Sequence, residues 1–287
     1  MPSTPTAAEP PAEPPAETAD GAGDSGLVRV ERFDEPDLAH VAEIVLDRPE
    51  AMNAVSTAMA RSIAAATAQV AADESVRCVV LTSSHDKAFC VGADLKERNS
   101  FTDADLMEQR PVARAAYGGV LALPVPVIAA VDGFALGGGF ELALSCDLVV
   151  AGENALVGLP EVSVGVIPGG GGTQLLVRRV GWSRAARAIF TAARLPAREA
   201  LELGAVDEVV AAGTARERAL EIARTIARNS PVGLRNAKRA MRLGADVDLA
   251  SGLEIEDGCW RATAFSGDRR EGVAAFAEKR RPVWPGR

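Results

Sequence analysis

Histidine and aromatic residues are scarce in this chain. There are two histidines, His40 and His85, with no second ligand at metal-binding spacing, so no metal site is expected. Aromatics make up 4%, so the core must be aliphatic, built on Val, Leu, Ile and Ala. The three tryptophans, Trp182, Trp260 and Trp284, are expected to pack rather than to form a stacking platform for bases. The four cysteines, Cys78, Cys90, Cys146 and Cys259, are far apart and form no CxxC pair. Three of them sit in apolar runs, which suits buried thiols in a reducing cytoplasm better than disulfides. No segment reaches the roughly 18 continuous apolar residues of a membrane span. The N-terminus lacks the basic and apolar regions of a signal peptide and the arginines of a transit peptide. The triple-glycine run Gly137–Gly139 does not read G-x-G-x-x-G, no G-x-x-x-x-G-K-[ST] occurs, and there is no G-x-S-x-G nucleophile elbow.

Basic charge is also in deficit. The net charge is −8, with 31 Lys and Arg against 39 Asp and Glu. Five of the acids lie in the first 26 residues, which contain no Lys or Arg; removing them leaves 34 acids against 31 bases. No concentrated basic face is evident, so nucleic-acid binding is not expected.

What remains is an ordinary globular balance, 48% hydrophobic and 24% charged over 287 residues. Residues 1–26, rich in Pro, Ala, Glu and Thr, have too little apolar surface to order themselves and read as a disordered tail. Strands are expected at Leu27–Phe33 and Val41–Leu46, a helix over Ser56–Ala72, and a strand covered on both faces at Val76–Thr82. A helix from about Thr102 to Leu123 is closed by Pro124 and Pro126. Val127–Val131, Leu148–Ala151 and Ala155–Val157 read as further strands. Beyond Gly170 the pattern turns helical: Thr214 and Glu217 have capping-box spacing, Ser230-Pro231 marks another helix start, and helices follow over about 249–264 and 268–279. The division is therefore a tail, 1–26, an α/β body, 27–210, and a helical region, 211–287.

Two stretches carry chemistry. VDGFALGGGFELALSCD, Val131 to Asp147, reads as a strand end, a triple-glycine turn and a helix start with Glu141 in its first turn. LPEVSVGVIPGGGG places Glu161 twenty residues later, followed by Gly169–Gly172. A helix N-terminus offers unpaired N–H groups to an anion, and glycines let an oxygen approach them. Both glycine runs also fit simple tight turns, and a first-turn glutamate is favoured by the helix dipole alone. Two carboxylates facing one pocket can hold a water, one acting as base and the other as acid.

Four segments resemble the crotonase, or enoyl-CoA hydratase/isomerase, superfamily: LDRPEAMNA (Leu46–Ala54), KAFCVGADLKE (Lys87–Glu97), the run Gly133–Gln174, and the ending FAEKRRPVWPGR. The resemblance covers about Leu27 to Arg287. It implies an α/β spiral of repeated ββα units, a helical C-terminal region that makes a homotrimer or a hexamer of two trimers, and an acyl-CoA thioester substrate. No separate cofactor is implied, since coenzyme A is part of the substrate. It further implies an oxyanion hole from the N–H groups of Ala93 and Gly138, and Glu141 and Glu161 as the catalytic pair. Substrate and CoA contacts fall on Ala51, Met52, Ala54, Val91, Gly92, Asp94, Leu95, Gly137, Pro160 and Gly169, with Phe276 and Lys279 at the nucleotide end. The implied reaction is hydration of a trans-2-enoyl-CoA. Alternatives are double-bond isomerisation, action on a specialised acyl-CoA of the methylglutaconyl type that GADLKER (Gly92–Arg98) resembles, and a non-catalytic or RNA-binding protein on the same fold. One departure is Glu50, where relatives often carry a base near the CoA phosphates.

Overall fold

A computed structural model describes residues 26–287; apart from Gly26, the tail assigned to 1–26 lies outside them. The chain opens with a hairpin, β1 (Val28–Arg32) and β2 (Val41–Leu46), paired antiparallel with Val28 opposite Leu46. Every residue of β2 is buried, whereas β1 is only partly covered. Helix α1 (Thr57–Ala72) is capped by Ser56, whose side chain accepts from Met59 N–H. It buries Met59, Ile63, Ala66 and Val70, the stripe at helical spacing that the sequence shows.

The chain then winds through repeated turns, each sending strands to two sheets. β3 (Cys78–Ser83) joins the first sheet and β4 (Ala88–Cys90) the second; α2 (Leu95–Arg98) and α3 (Asp103–Ala122) follow. Thr102 and Asp105 form a reciprocal capping box for α3. Pro111 is accommodated inside this helix on its exposed face, and the helix ends just before Pro124, as expected. The next turn gives β5 (Val127–Val131), β6 (Phe134–Leu136) and α4 (Gly138–Ser145), a helix buried along its whole length. A third supplies β7 (Leu148–Gly152) and β8 (Leu156–Gly158), then α5 (Gly172–Val180) and α6 (Trp182–Phe190). β9 (Arg194–Pro196), α7 (Ala197–Leu203) and β10 (Glu208–Val210) complete the body.

The first sheet has the order β1-β2-β3-β5-β7-β10 and the second β4-β6-β8-β9. Pairing is parallel except for β1 on β2 and β9 on β8. This is the expected spiral of ββα units. Helix α8 (Ala215–Ala227) lays Ala215, Ala219, Leu220, Ala223 and Ala227 on Val41, Cys78, Val80, Ile128 and Val150, covering the first sheet's other face. That cover is why β2 and β3 are apolar without alternation. Thr214 does not cap α8. Its hydroxyl donates to Ala211 O, and Asp132 takes the role, accepting from Gly213 N–H at 2.8 Å and Ala215 N–H at 3.3 Å. A well-placed carboxylate at the end of β5 displaces the local capping box.

Helices α9 (Pro231–Gly244), α10 (Leu249–Ala264) and α11 (Gly267–Ala277) close the chain, with Ser230 capping α9 as expected. Lys238 and Arg242 of α9 both pair with Asp147, at 2.7 and 2.8 Å, tying this region to the end of α4. Met241, Leu249, Trp260, Phe265 and Phe276 stand in solvent on these helices. Of the tryptophans, Trp284 packs on Gly272 and donates to Arg228 O, while Trp182 and Trp260 are exposed, contrary to the packing role expected for them. All four cysteines are free and buried, and among the described residues no helix is long and apolar enough to cross a membrane.

Candidate active site

A cavity of about 720 Å³ opens between α3, α4 and the segment from Pro160 to Gly170. Both glutamates line it, Glu141 from the first turn of α4 and Glu161 from the short helical turn Glu161–Val164. They are held in opposite ways. Oε1 of Glu141 accepts two backbone hydrogen bonds at 2.7 Å, from Gly170 and Gly172. Burial raises its pKa, while those two N–H groups and Arg110 act against the rise. Oε2 of Glu161 is buried with no hydrogen-bond partner among the described residues. Burial, with the charge of Glu141 adding to it, pushes the Glu161 carboxyl up to about 7. Near neutrality the pair is thus built to hold one proton, and Glu161 is the better place for it.

The wall beside the glutamates is backbone. Gly138 is the first residue of α4, and N–H groups of a first helical turn have no acceptor within the helix. Neither Ala93 N–H nor Gly138 N–H donates to a loop or turn carbonyl among the described residues. The two chain segments touch: a Cβ on Gly92 would lie 3.1 Å from Gly138 N and 2.7 Å from Leu136 O. Gly137 turns the chain into α4 with φ of 53°, and a Cβ there would lie 3.1 Å from Oε1 of Glu161. Here glycine serves both the turn and the approach, so the two readings of this run are one geometry.

Of the residues singled out in sequence, Val91, Gly92, Ala93, Leu95, Gly137, Gly138, Glu141, Pro160, Glu161 and Gly169 line this cavity. Ala51, Met52 and Ala54 do not; their turn runs alongside, with Met52 O accepting from Val91 N–H at 3.2 Å. Asp94 is also outside. Its carboxylate caps α2 and pairs with Arg48 at 2.7 Å, which holds its pKa below the ordinary range against the opposing effect of burial. Arg48 also meets Glu50, at 3.5 Å, so the acid at that departure has a base beside it. Phe276 lies in the last turn of α11 and Lys279 just beyond it; neither lines the cavity, and Phe276 is 88% exposed.

Sequence reading missed Arg98, Arg110 and Tyr117. Tyr117 is buried, its hydroxyl 2.3 Å from where a Cβ of Gly138 would stand, and burial raises its pKa so that it stays a phenol. A signal for the two on α3 existed: Leu106, Arg110, Ala113 and Tyr117 recur at spacings of three and four and share the cavity face.

Two sheets wound from ββα turns, with a helix start and a loop presenting free N–H groups beside paired acids, define an enzyme of the crotonase superfamily. More narrowly, the chain belongs to the enoyl-CoA hydratase/isomerase family, whose model matches residues 37–287. It is 42% identical to enoyl-CoA hydratase domain-containing protein 2, mitochondrial, of Mus musculus, over 86% of this chain and 85% of that one. To the mitochondrial methylglutaconyl-CoA hydratase of the same species it is 38% identical, over 96% and 91%. The crystal structure of an enoyl-CoA hydratase from Bacillus anthracis superposes with a TM-score of 0.87 at 41% identity, covering 91% of this chain and all of that one.

Proposed function

We propose that the protein hydrates a trans-2-enoyl-CoA to the 3-hydroxyacyl-CoA. The observation that carries this reading is the unequal pair in one cavity: Glu141 anchored by two N–H groups, Glu161 half-buried with its Oε2 unpartnered among the described residues. The thioester oxygen sits between the N–H groups of Ala93 and Gly138. A water sits between the carboxylates. Glu141 takes a proton from that water as its oxygen bonds to C3, and the C2–C3 π electrons move toward the thioester oxygen, where the two N–H groups stabilise the enolate. Protonated Glu161 then delivers its proton to C2, so that OH and H have added across the bond. Transfer of a proton from Glu141 back to Glu161 resets the site.

The CoA moiety runs along Val91, Leu95 and the turn of Ala51, Met52 and Ala54. Phe276 and Lys279 do not line their own cavity, and act on that of a second copy. The assembly is a homotrimer, or two trimers, formed through the exposed apolar side chains of α9–α11. Light scattering after size exclusion gives its mass directly. The buried free thiols suit a cytoplasmic setting.

The test is a panel of enoyl-CoAs of increasing chain length, followed by loss of the conjugated enoyl-thioester absorbance, with wild type and Glu161→Gln. Hydration by wild type and its loss in the variant support the reading. Conversion of a 3-enoyl-CoA with every 2-enoyl-CoA untouched replaces it with isomerisation. A second reading, an acyl chain ending in a carboxylate, is favoured by Arg98, which lines the cavity with its guanidinium Nε buried and unpartnered. The same panel decides it by including a 2-enoyl-CoA with a terminal carboxylate.

A further inference from the structure

Glu141 owes its hydrogen bonds to a segment whose second half, Gly171 and Gly172, belongs to the start of α5, but whose first half, Gly169 and Gly170, has no helix to hold it. Gly169 to Gly172 are four consecutive glycines, the residue with the widest backbone freedom, and two of their N–H groups must stay on one carboxylate oxygen. Something outside the segment has to fix it.

Arg110 meets that need. It projects from the cavity face of α3, and its Nη2 donates to the carbonyl of Gly169 at 2.8 Å. A Cβ on Gly169 would lie 2.9 Å from its Nη1, so the guanidinium lies directly against this residue. The N–H of that same peptide group, on Gly170, is the one that reaches Glu141. Continuous contact therefore runs from α3 through Arg110 and Gly169 to the carboxylate that acts as base in the proposed hydration. The guanidinium charge also favours the ionised form of Glu141.

We propose that Arg110 is a positioning residue: it latches the glycine loop to α3, holds the Gly170 N–H on Glu141, and keeps that carboxylate aimed at the water. The proposal rests on the hydratase reading for its kinetic consequence, though not for its structural one. The other groups around the pair are Tyr117 from α3, Glu161 from its helical turn, Arg98 from α2 and Cys90 of β4 behind Tyr117. All remain in place when Arg110 alone is changed, so a change in the base's titration reports on Arg110.

The experiment compares wild type, Arg110→Met and Arg110→Lys. Arg110 is exposed, so neither variant creates a cavity. The readouts are kcat and KM across pH for whichever enoyl-CoA the wild type turns over best, and the carboxyl ¹³C titration of Glu141, assigned through Glu141→Gln. In Arg110→Met, kcat falls by about tenfold with KM little changed. The acid limb of the profile and the Glu141 titration both move up by about half to one pH unit, a small shift for an opposite charge because this one is solvent-screened. Arg110→Lys, with a charge but no fork, brings the titration back toward wild type and leaves kcat reduced. An unmoved titration in Arg110→Met overturns the proposal, as does a loss lying wholly in KM, which makes Arg110 a substrate contact. A wild type that hydrates no enoyl-CoA defeats the hydratase reading instead. The Glu141 titration needs no turnover and still decides Arg110.

Discussion

Replacing Glu161 by glutamine should remove most of the turnover and yet make the protein more stable at alkaline pH. The folded protein holds this carboxyl at about 7 against an ordinary 4.5, chiefly because burial disfavours its charge. Below 4.5 the side chain is protonated in both folded and unfolded chains, and glutamine is a close match for the neutral acid. As pH rises from there, the unfolded chain gives up the proton while the folded one still holds it. Wild-type stability therefore falls through the window from 4.5 to about 7 and is level above it. A displacement from 4.5 to about 7 is equivalent to about 3 kcal/mol. Since the side chain is only half-buried, solvent screening reduces the expected effect to about 1–2 kcal/mol.

The assay is reversible denaturant unfolding of both proteins at about pH 4.5 and about pH 8.5, at one protomer concentration so that assembly contributes equally. The expected result is no difference at the lower pH and a gain of about 1–2 kcal/mol for Glu161→Gln at the higher, with turnover reduced by about two to four powers of ten. The two halves belong together, because a site that keeps an acid protonated near neutrality does so at the expense of the fold. Equal stability at both pH values, or a variant less stable than wild type at the higher, would falsify the placement of Glu161 Oε2 in a buried, unpartnered position.

Glu141→Gln behaves differently from its partner: activity falls, but the charge-assisted bonds from Gly170 and Gly172 are also weakened. Burial disfavours the Glu141 charge on balance, so the weakened bonds are set against relief of that charge: stability at neutral pH rises less than in Glu161→Gln, and the 169–172 segment becomes more open to limited proteolysis. Gly138→Ala sets a methyl 2.3 Å from the Tyr117 hydroxyl, and so destabilises as well as inactivates. Adding Tyr117→Phe relieves the contact, and a thermal melt of the double variant should lie above that of Gly138→Ala alone; a lower melt refutes the geometry. Far from the cavity, Arg216→Met strips two 2.7 Å bonds from Glu43, which is fully buried and keeps only Thr82. Denaturant unfolding should register a loss of about 3–5 kcal/mol, and a loss under 1 means that water reaches Glu43.

The strands and helices that were legible in sequence are those long enough to show a period. Helix α1 and strands β2, β3 and β5 each fill a window in which burial repeats or persists. Strands β4 and β6 are three residues each, AFC and FAL, too short for any alternation to register. Yet β6 leads directly into the Gly137–Gly138 wall of the cavity, and β4 ends just short of Gly92 and Ala93. The cap on α8 failed for a different reason. Thr214 and Glu217 satisfied a local rule, and Asp132, more than eighty residues earlier, satisfied the same N–H groups better. Residues at such separation meet only after the sheet has formed.

The proposed division of labour between the glutamates is implied by the family resemblance, with Glu141 activating the water and Glu161 delivering the proton, but residue spacing alone does not contain it. Glu141 and Glu161 are the same residue type beside similar glycine runs, and nothing in their spacing makes one the base. The difference is made by α5. Its N-cap position is Gly171, which offers no side chain, so the first-turn N–H groups need an acceptor from elsewhere. Glu141 supplies it from 31 residues upstream, accepting from Gly172 N–H at 2.7 Å. Sequence reading assigned Gly169–Gly172 either to a simple turn before the helix or to an anion site, and both descriptions hold. The run does start α5, and the anion it binds is a side chain of the protein itself. In capping α5, Glu141 gains two donors and the positive end of a helix dipole, both of which favour its ionised form. Glu161 begins its own helical turn, its Oε2 has no partner among the described residues, and burial pushes its carboxyl up to about 7. In the proposed hydration, acid and base therefore follow from which carboxylate serves as the cap, a difference that exists only once α4 and α5 have packed together.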